Sequence, residues 1–135
     1  MTRQDLENLR LLDEQIKRKL ERIDYLRMKM LPSAIQYKAD KSATATVFDP
    51  IGDIYAEIDI EDRKVDKLID RYYDERQAAI NTINKLKDRR KRNILYYRYI
   101  EFMSWHEVEK QVNKRDKCSI QTIYRLHNQA LEKIK

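Results

Sequence analysis

The sequence predicts an all-α protein in which a long N-terminal antiparallel coiled-coil helical hairpin precedes a compact helix-turn-helix domain. Three observations carry this. The 135 residues include one Gly and two Pro, and 39% are charged, so little interrupts a helix. Two long stretches repeat apolar residues at heptad spacing. After Asp88 that spacing gives way to short, close apolar clusters, as a small multi-helix unit requires. The expected division is a hairpin over residues 1–87 and a separate domain over 88–135.

The first helix is expected over about 2–31. Leu9, Ile16, Ile23 and Met30 share one heptad position, and Leu6 and Leu20 share another. Thr2 with Asp5 forms an N-terminal capping pair, and Pro32 is expected to stop the helix by clashing with the turn before it. Residues 32–53 hold both prolines, the glycine and many small polar residues, the composition of a connecting loop. Val47 and Phe48 are candidates to pin its end.

The second helix is expected from about Ile54 or Asp59 to about Lys87, with Asp53 or Asp59 as its cap. Ile58, Val65, Tyr72, Ala79 and Leu86 are spaced by seven, with Ile69 and Ile83 on the companion position. Two narrow seams must bury each other. An antiparallel hairpin does this within one chain, and a homodimer through the same seams is the alternative.

Beyond Asp88, Ser104 and Glu107 have the spacing of a capping box. A short helix over Trp105 to Val112 follows, burying Trp105, Val108 and Val112. Asn113 to Cys118 then separate it from a helix that Ser119 caps and that runs nearly to Lys135. Two helices joined by a turn make a helix-turn-helix candidate. On the second of them Ile123, Leu126, Ala130 and Ile134 fall on one face, and Gln121, Arg125 and Asn128 on the opposite one with Thr122 beside them. Gln and Asn pair with adenine edges and Arg with guanine, so these four are the candidate base-reading residues.

Charge divides unevenly. Residues 1–79 carry 15 Lys/Arg against 17 Asp/Glu, whereas residues 80–135 carry 14 against 6. A basic C-terminal part suits contact with a polyanion, because each cation near a phosphate releases condensed counterions. Lys87, Arg89, Arg90, Lys91 and Arg92, with Lys114, Arg115 and Lys117 in the turn, are the candidate phosphate-binding residues. A solvated basic surface is the plainer explanation for each of them singly.

The stretch ILYYRYIEFMSWHEVEKQV followed by SIQTIYRLHNQALEKIK resembles region 4 of bacterial sigma factors. That pattern is a helix ending in an Arg-Tyr or Arg-Phe pair, a capped short helix, and a recognition helix ending in Ala-Leu-x-x-Leu. Arg98, Tyr99, Ser104, Val108, Ser119, Ile123, Ala130 and Leu131 stand at its positions. Lys114, Arg115, Asp116 and Lys117 form an insertion relative to it. The whole arrangement is similar to phage and prophage late transcription regulators of the RinA-like and ArpU-like kind. This resemblance implies a regulator of phage late or packaging genes in a bacterial host cytoplasm, with double-stranded DNA and RNA polymerase as partners. A small terminase-like packaging subunit and a polymerase-binding module without DNA contact are the alternatives.

Other chemistry finds no footing. Cys118 is the lone cysteine, which excludes an internal disulfide, and its expected role is burial. His106 and His127 belong to no metal motif, and His127 is expected to pack at the edge of the apolar face. No catalytic constellation or cofactor motif stands out, so neither an enzyme nor a cofactor is expected. The first residues lack a signal-peptide core and no stretch has transmembrane length, so no membrane association is expected.

Overall fold

A computed structural model describes residues 1–39 and 50–134. Among these residues every regular element is helical, with no strand: α1 (Arg3–Ala39), α2 (Pro50–Asn84), α3 (Arg89–Leu95), α4 (Trp105–Asn113) and α5 (Ile120–Ile134). α3 runs on into a π-helical segment, Tyr96–Ile100, in which the Glu101 amide donates to the Tyr96 carbonyl five residues back. No helix among the described residues is long and apolar enough to cross a membrane.

α1 begins as its first residues require. The Thr2 amide donates to Asp5 Oδ2 at 2.8 Å and the Asp5 amide to Thr2 Oγ1 at 3.3 Å, which satisfies donors that a helix start leaves orphaned. The Thr2 amide and hydroxyl, both donating to its carboxylate, hold Asp5 below its ordinary pKa. Pro32 does not end the helix. A proline inside a helix removes one backbone bond and costs about 3 kcal/mol. Residues 33–39 contain no glycine or second proline, and the helical path continues to Ala39. The connector expected over 32–53 is therefore helical at both ends. Its remainder, 40–49, lies outside the described residues, and so do Val47 and Phe48. α2 correspondingly starts at Pro50, a residue whose fixed φ and missing N–H suit a first helical position, and it ends at Asn84.

The chain forms two compact units, one of Met1–Asp13 with Arg71–Lys135 and one of Glu14–Asp70. Neither unit has an edge at the expected 87/88 division, because the C-terminal helices share a core with the start of α1 and the end of α2. In that core Leu6 and Leu9 pack with Ala79, Ile83 and Leu86, and with Leu95, Tyr99, Ala130 and Leu131. A second cluster in the same unit joins Ile94 of α3, Val108 and Val112 of α4, and Ile123 and Leu126 of α5.

In the other unit Ile23 and Leu26 of α1 pack with Ile54, Ile58 and Val65 of α2. The row Leu9, Ile16 and Ile23 is buried as expected, and of its expected companions Leu6 is fully buried but Leu20 is not. Leu20 is 44% exposed, whereas Leu12 and Leu26 are buried. Lys19, seven residues from each of them, reaches Glu61 of α2 at 3.2 Å. Only 14% of the Glu61 side chain is exposed, and its carboxyl is held below the usual range first by the Lys19 bond.

Candidate nucleic-acid interface

The C-terminal helices are set by local signals that the sequence spells out. At the start of α4 the Ser104 Oγ accepts from the Glu107 amide at 3.3 Å, and Glu107 Oε2 accepts from the Ser104 amide at 3.4 Å. Substituting Ser104 with Ala is expected to cost about 1 kcal/mol, as capping losses generally do. Urea unfolding measures this, and an unchanged midpoint would mean that the box contributes nothing. At α5 the Ser119 Oγ accepts from the Thr122 amide at 3.2 Å, which makes Ser119 the N-cap.

The turn between α4 and α5 is closed by Asn113, whose Nδ2 donates to the Glu109 carbonyl and whose Oδ1 accepts from the Cys118 amide, both at 2.8 Å. Residues 114–117 are tied down as well. Asp116 accepts from Arg89 of α3 at 3.0 and 3.3 Å, and its amide donates to the Val112 carbonyl. The turn is thus anchored through Asp116 to α3 and α4.

The four candidate base-reading residues lie on α5 as its periodicity requires. Gln121, Arg125 and Asn128 are exposed, and Thr122 is half-buried with its hydroxyl 2.9 Å from that of Ser119. Behind them Ile123, Leu126, His127, Ala130 and Leu131 are buried. A polar row one turn apart therefore stands on a helix whose opposite face is fixed in two apolar clusters.

The candidate phosphate-binding residues differ in exposure and in the contacts they make. Lys87, Lys114, Arg115 and Lys117 are exposed. Arg89 pairs with Asp116, and the Arg90 guanidinium lies 4.0 Å from the Cys118 sulfur. Arg92 donates from Nη1 to the carbonyls of Leu86 and Lys87 at 2.6 and 3.0 Å, closing the chain just past α2. Lys91 is only 9% exposed, so its stem serves as packing. Several cations of the run thus also make contacts within the fold, while Arg89 keeps 52% of its side chain exposed. Cys118 itself is half-buried against the Ile94, Val108 and Ile123 cluster.

Beneath α5 lies an arrangement that sequence spacing alone does not show. His127 is 3% exposed, stacked on Tyr99 and edge-on to Trp105, with ring centroids 5.6 and 4.8 Å away. Its Nε2 is 2.7 Å from the Tyr99 hydroxyl and its Nδ1 is 3.2 Å from Asn128 Oδ1. An amide oxygen only accepts, so Nδ1 carries the proton, and Nε2 accepts from the tyrosine. The ring is a neutral link between the core and an exposed candidate reading residue. Trp105 is half-buried and not enclosed as expected. Arg98 covers its face at 4.7 Å and Tyr124 meets its edge at 5.0 Å, while Arg98 Nη1 donates to the Met103 carbonyl at 2.8 Å. The resemblance pointed to Arg98 and Tyr99, but no local pattern pairs residues that are 28 positions apart.

Burial is the main cause that holds His127 below its ordinary pKa, with the Arg3 and Arg98 cations adding to it against the opposing Asn128 bond and Glu7 charge. In the unfolded chain the ring takes its proton near the ordinary value of about 6.5, before the folded state does. The stability from keeping it neutral is full above that pH and is lost as pH falls toward the folded pKa. The melting temperature of the wild type is expected to fall across this window and that of His127→Gln to fall less. Parallel curves for the two proteins would contradict this.

No protein-family model matches the chain, and neither a curated protein nor a solved structure shows significant similarity to it.

Proposed function

We propose that this chain is a sequence-specific DNA-binding regulator of transcription, of the kind that serves phage late or packaging genes. In this reading α4, the anchored turn and α5 act as a helix-turn-helix, and α5 is the helix that enters the major groove. The paired seams of α1 and α2 act as a helical hairpin that carries the module. The carrying observation is the exposed row Gln121, Arg125 and Asn128 on a helix that Ser119 caps and that Ile123, Leu126 and Ala130 anchor. Those side-chain types discriminate base edges, and a fixed helix holds them in register. The phage assignment and an RNA polymerase contact rest on the resemblance to sigma region 4 and to the late regulators.

Exposed cations of the turn supply the sequence-independent part of binding. Lys117→Ala is expected to weaken all duplexes alike and to lower the slope of log affinity against log salt by about 1. Titration of two unrelated duplexes at several salt concentrations reads this directly. A loss confined to one sequence, or none at all, would take Lys117 out of the interface.

A further inference from the structure

We propose that Tyr99 and His127 are positioning residues for base selection, locking the Asn128 carboxamide so that it accepts adenine and rejects guanine. The proposal rests on the DNA-binding reading of α5 and deepens it.

The need for a lock follows from the chemistry of the side chain. The torsion that turns a carboxamide is broad and roughly two-fold, and its two ends differ only in being oxygen or NH2. In the major groove adenine presents the N7 acceptor beside the N6 donor, whereas guanine presents two acceptors, N7 and O6. An asparagine matches adenine when its NH2 meets N7 and its oxygen meets N6. An amide that turns freely also offers its NH2 to either guanine acceptor, so it separates the two purines poorly. Discrimination requires a fixed oxygen.

In the exposed row of α5 Asn128 has such a restraint, whereas Gln121 and Arg125 make no side-chain bond among the described residues. Asn128 Oδ1 lies 3.2 Å from His127 Nδ1. That bond takes one of the two lone pairs of the oxygen and leaves the other, with both Nδ2 hydrogens, for a base edge.

The ring that holds Asn128 is itself held. Its Nε2 is 2.7 Å from the Tyr99 hydroxyl. Burial raises that hydroxyl above its ordinary pKa, so it keeps its proton as a donor. Arg3 also bears on it, and a guanidinium only donates, so the tyrosine's own proton is left for Nε2. Nε2 thereby accepts, and Nδ1 carries the ring proton toward Asn128. Tyr99 stacks on the ring and Trp105 meets it edge-on, and with 3% of His127 exposed the ring has little room to turn. Bonds in such a dry setting are stronger than the same bonds in water. A buried hydroxyl thus decides which end of an exposed amide faces the groove.

The test has two parts, both on the full chain. Long-range proton–nitrogen correlation NMR at neutral pH reads the tautomer of His127 in the free protein, with exposed His106 as the comparison. A proton on Nδ1 of His127 is expected, against the preference of a free histidine for Nε2. Selection on random-sequence duplex DNA then reads base preference at the position that Asn128→Ala erases. His127→Asn keeps an NH2 where Nδ1 stood. His127→Gln places its amide where Nε2 stood and leaves Asn128 unrestrained. Both variants lose the buried ring, so lost packing alone does not separate them, and thermal melts check that both fold. His127→Asn is expected to keep adenine over guanine, and His127→Gln to lose that preference about tenfold. A proton on Nε2, or equal base preference in the two variants, would overturn the proposal while an enriched wild-type motif leaves DNA binding standing. No retained duplex for the wild type would overturn both. The tautomer, read on the unaltered chain, remains decisive where a variant fails to fold.

Discussion

Ile123→Ala is expected to destabilise the unit that carries α5 by about 2–5 kcal/mol, the cost of emptying a well-packed isoleucine site. Ile123 is fully buried where α3, α4 and α5 meet, in contact with a cluster of Ile94, Val108, Val112 and Leu126. Truncation removes its methyl and methylene contacts, and the helices around the void are themselves held by caps and by the Arg89–Asp116 pair, which limits collapse. A loss of that size is a large share of the roughly 5–15 kcal/mol by which domains are stable. Urea unfolding followed by far-ultraviolet circular dichroism is the check, with Leu20→Ala, at an exposed site, as the comparison expected to stay within about 0.5 kcal/mol. Equal losses for the two variants would place the core elsewhere.

Arg125→Ala is expected to weaken binding to a preferred duplex by about 1–3 kcal/mol and to relax preference at one base position, while leaving stability unchanged. The two effects separate because Arg125 is exposed on the row opposite the buried face of α5. Asn128 provides a contrast on the same row. Its Oδ1 already accepts from His127, so removing it also strips a buried ring of a partner. Asn128→Ala should therefore reduce stability as well as binding. Binding isotherms on single-base variants of the site, with thermal melts of both proteins, distinguish these outcomes. An Arg125→Ala protein that keeps full affinity and selectivity would move the reading face to another surface.

What the sequence showed, and what it did not, follows from the range of each interaction. The Thr2/Asp5 pair, the Ser104/Glu107 box and the Ser119 cap join residues three apart, and each forms as expected. The row Leu9, Ile16, Ile23 was equally legible. Its companion was not, because Leu6 and Leu20 flank that row on one side and Leu12 and Leu26 on the other, at matching spacings. Only tertiary packing chooses among them, and it buried Leu6, Leu12 and Leu26 and left Leu20 in solvent. Pro32 carried a strong local signal that helical neighbours overrode.

The polar row on α5 could be read because helical periodicity alone places Gln121, Arg125 and Asn128 together. The basic run could not be resolved, since a count of charges does not register Asp116 or the carbonyls after α2 that occupy Arg89 and Arg92. Tyr99 and His127 likewise meet only through tertiary packing.

The most direct test of the central claim is selection of the purified chain on random-sequence duplex DNA, followed by sequencing, at two salt concentrations. An enriched motif, bound more weakly at the higher salt and degraded at one position by Arg125→Ala, is the expected result. Absence of any retained duplex at either salt would contradict DNA binding.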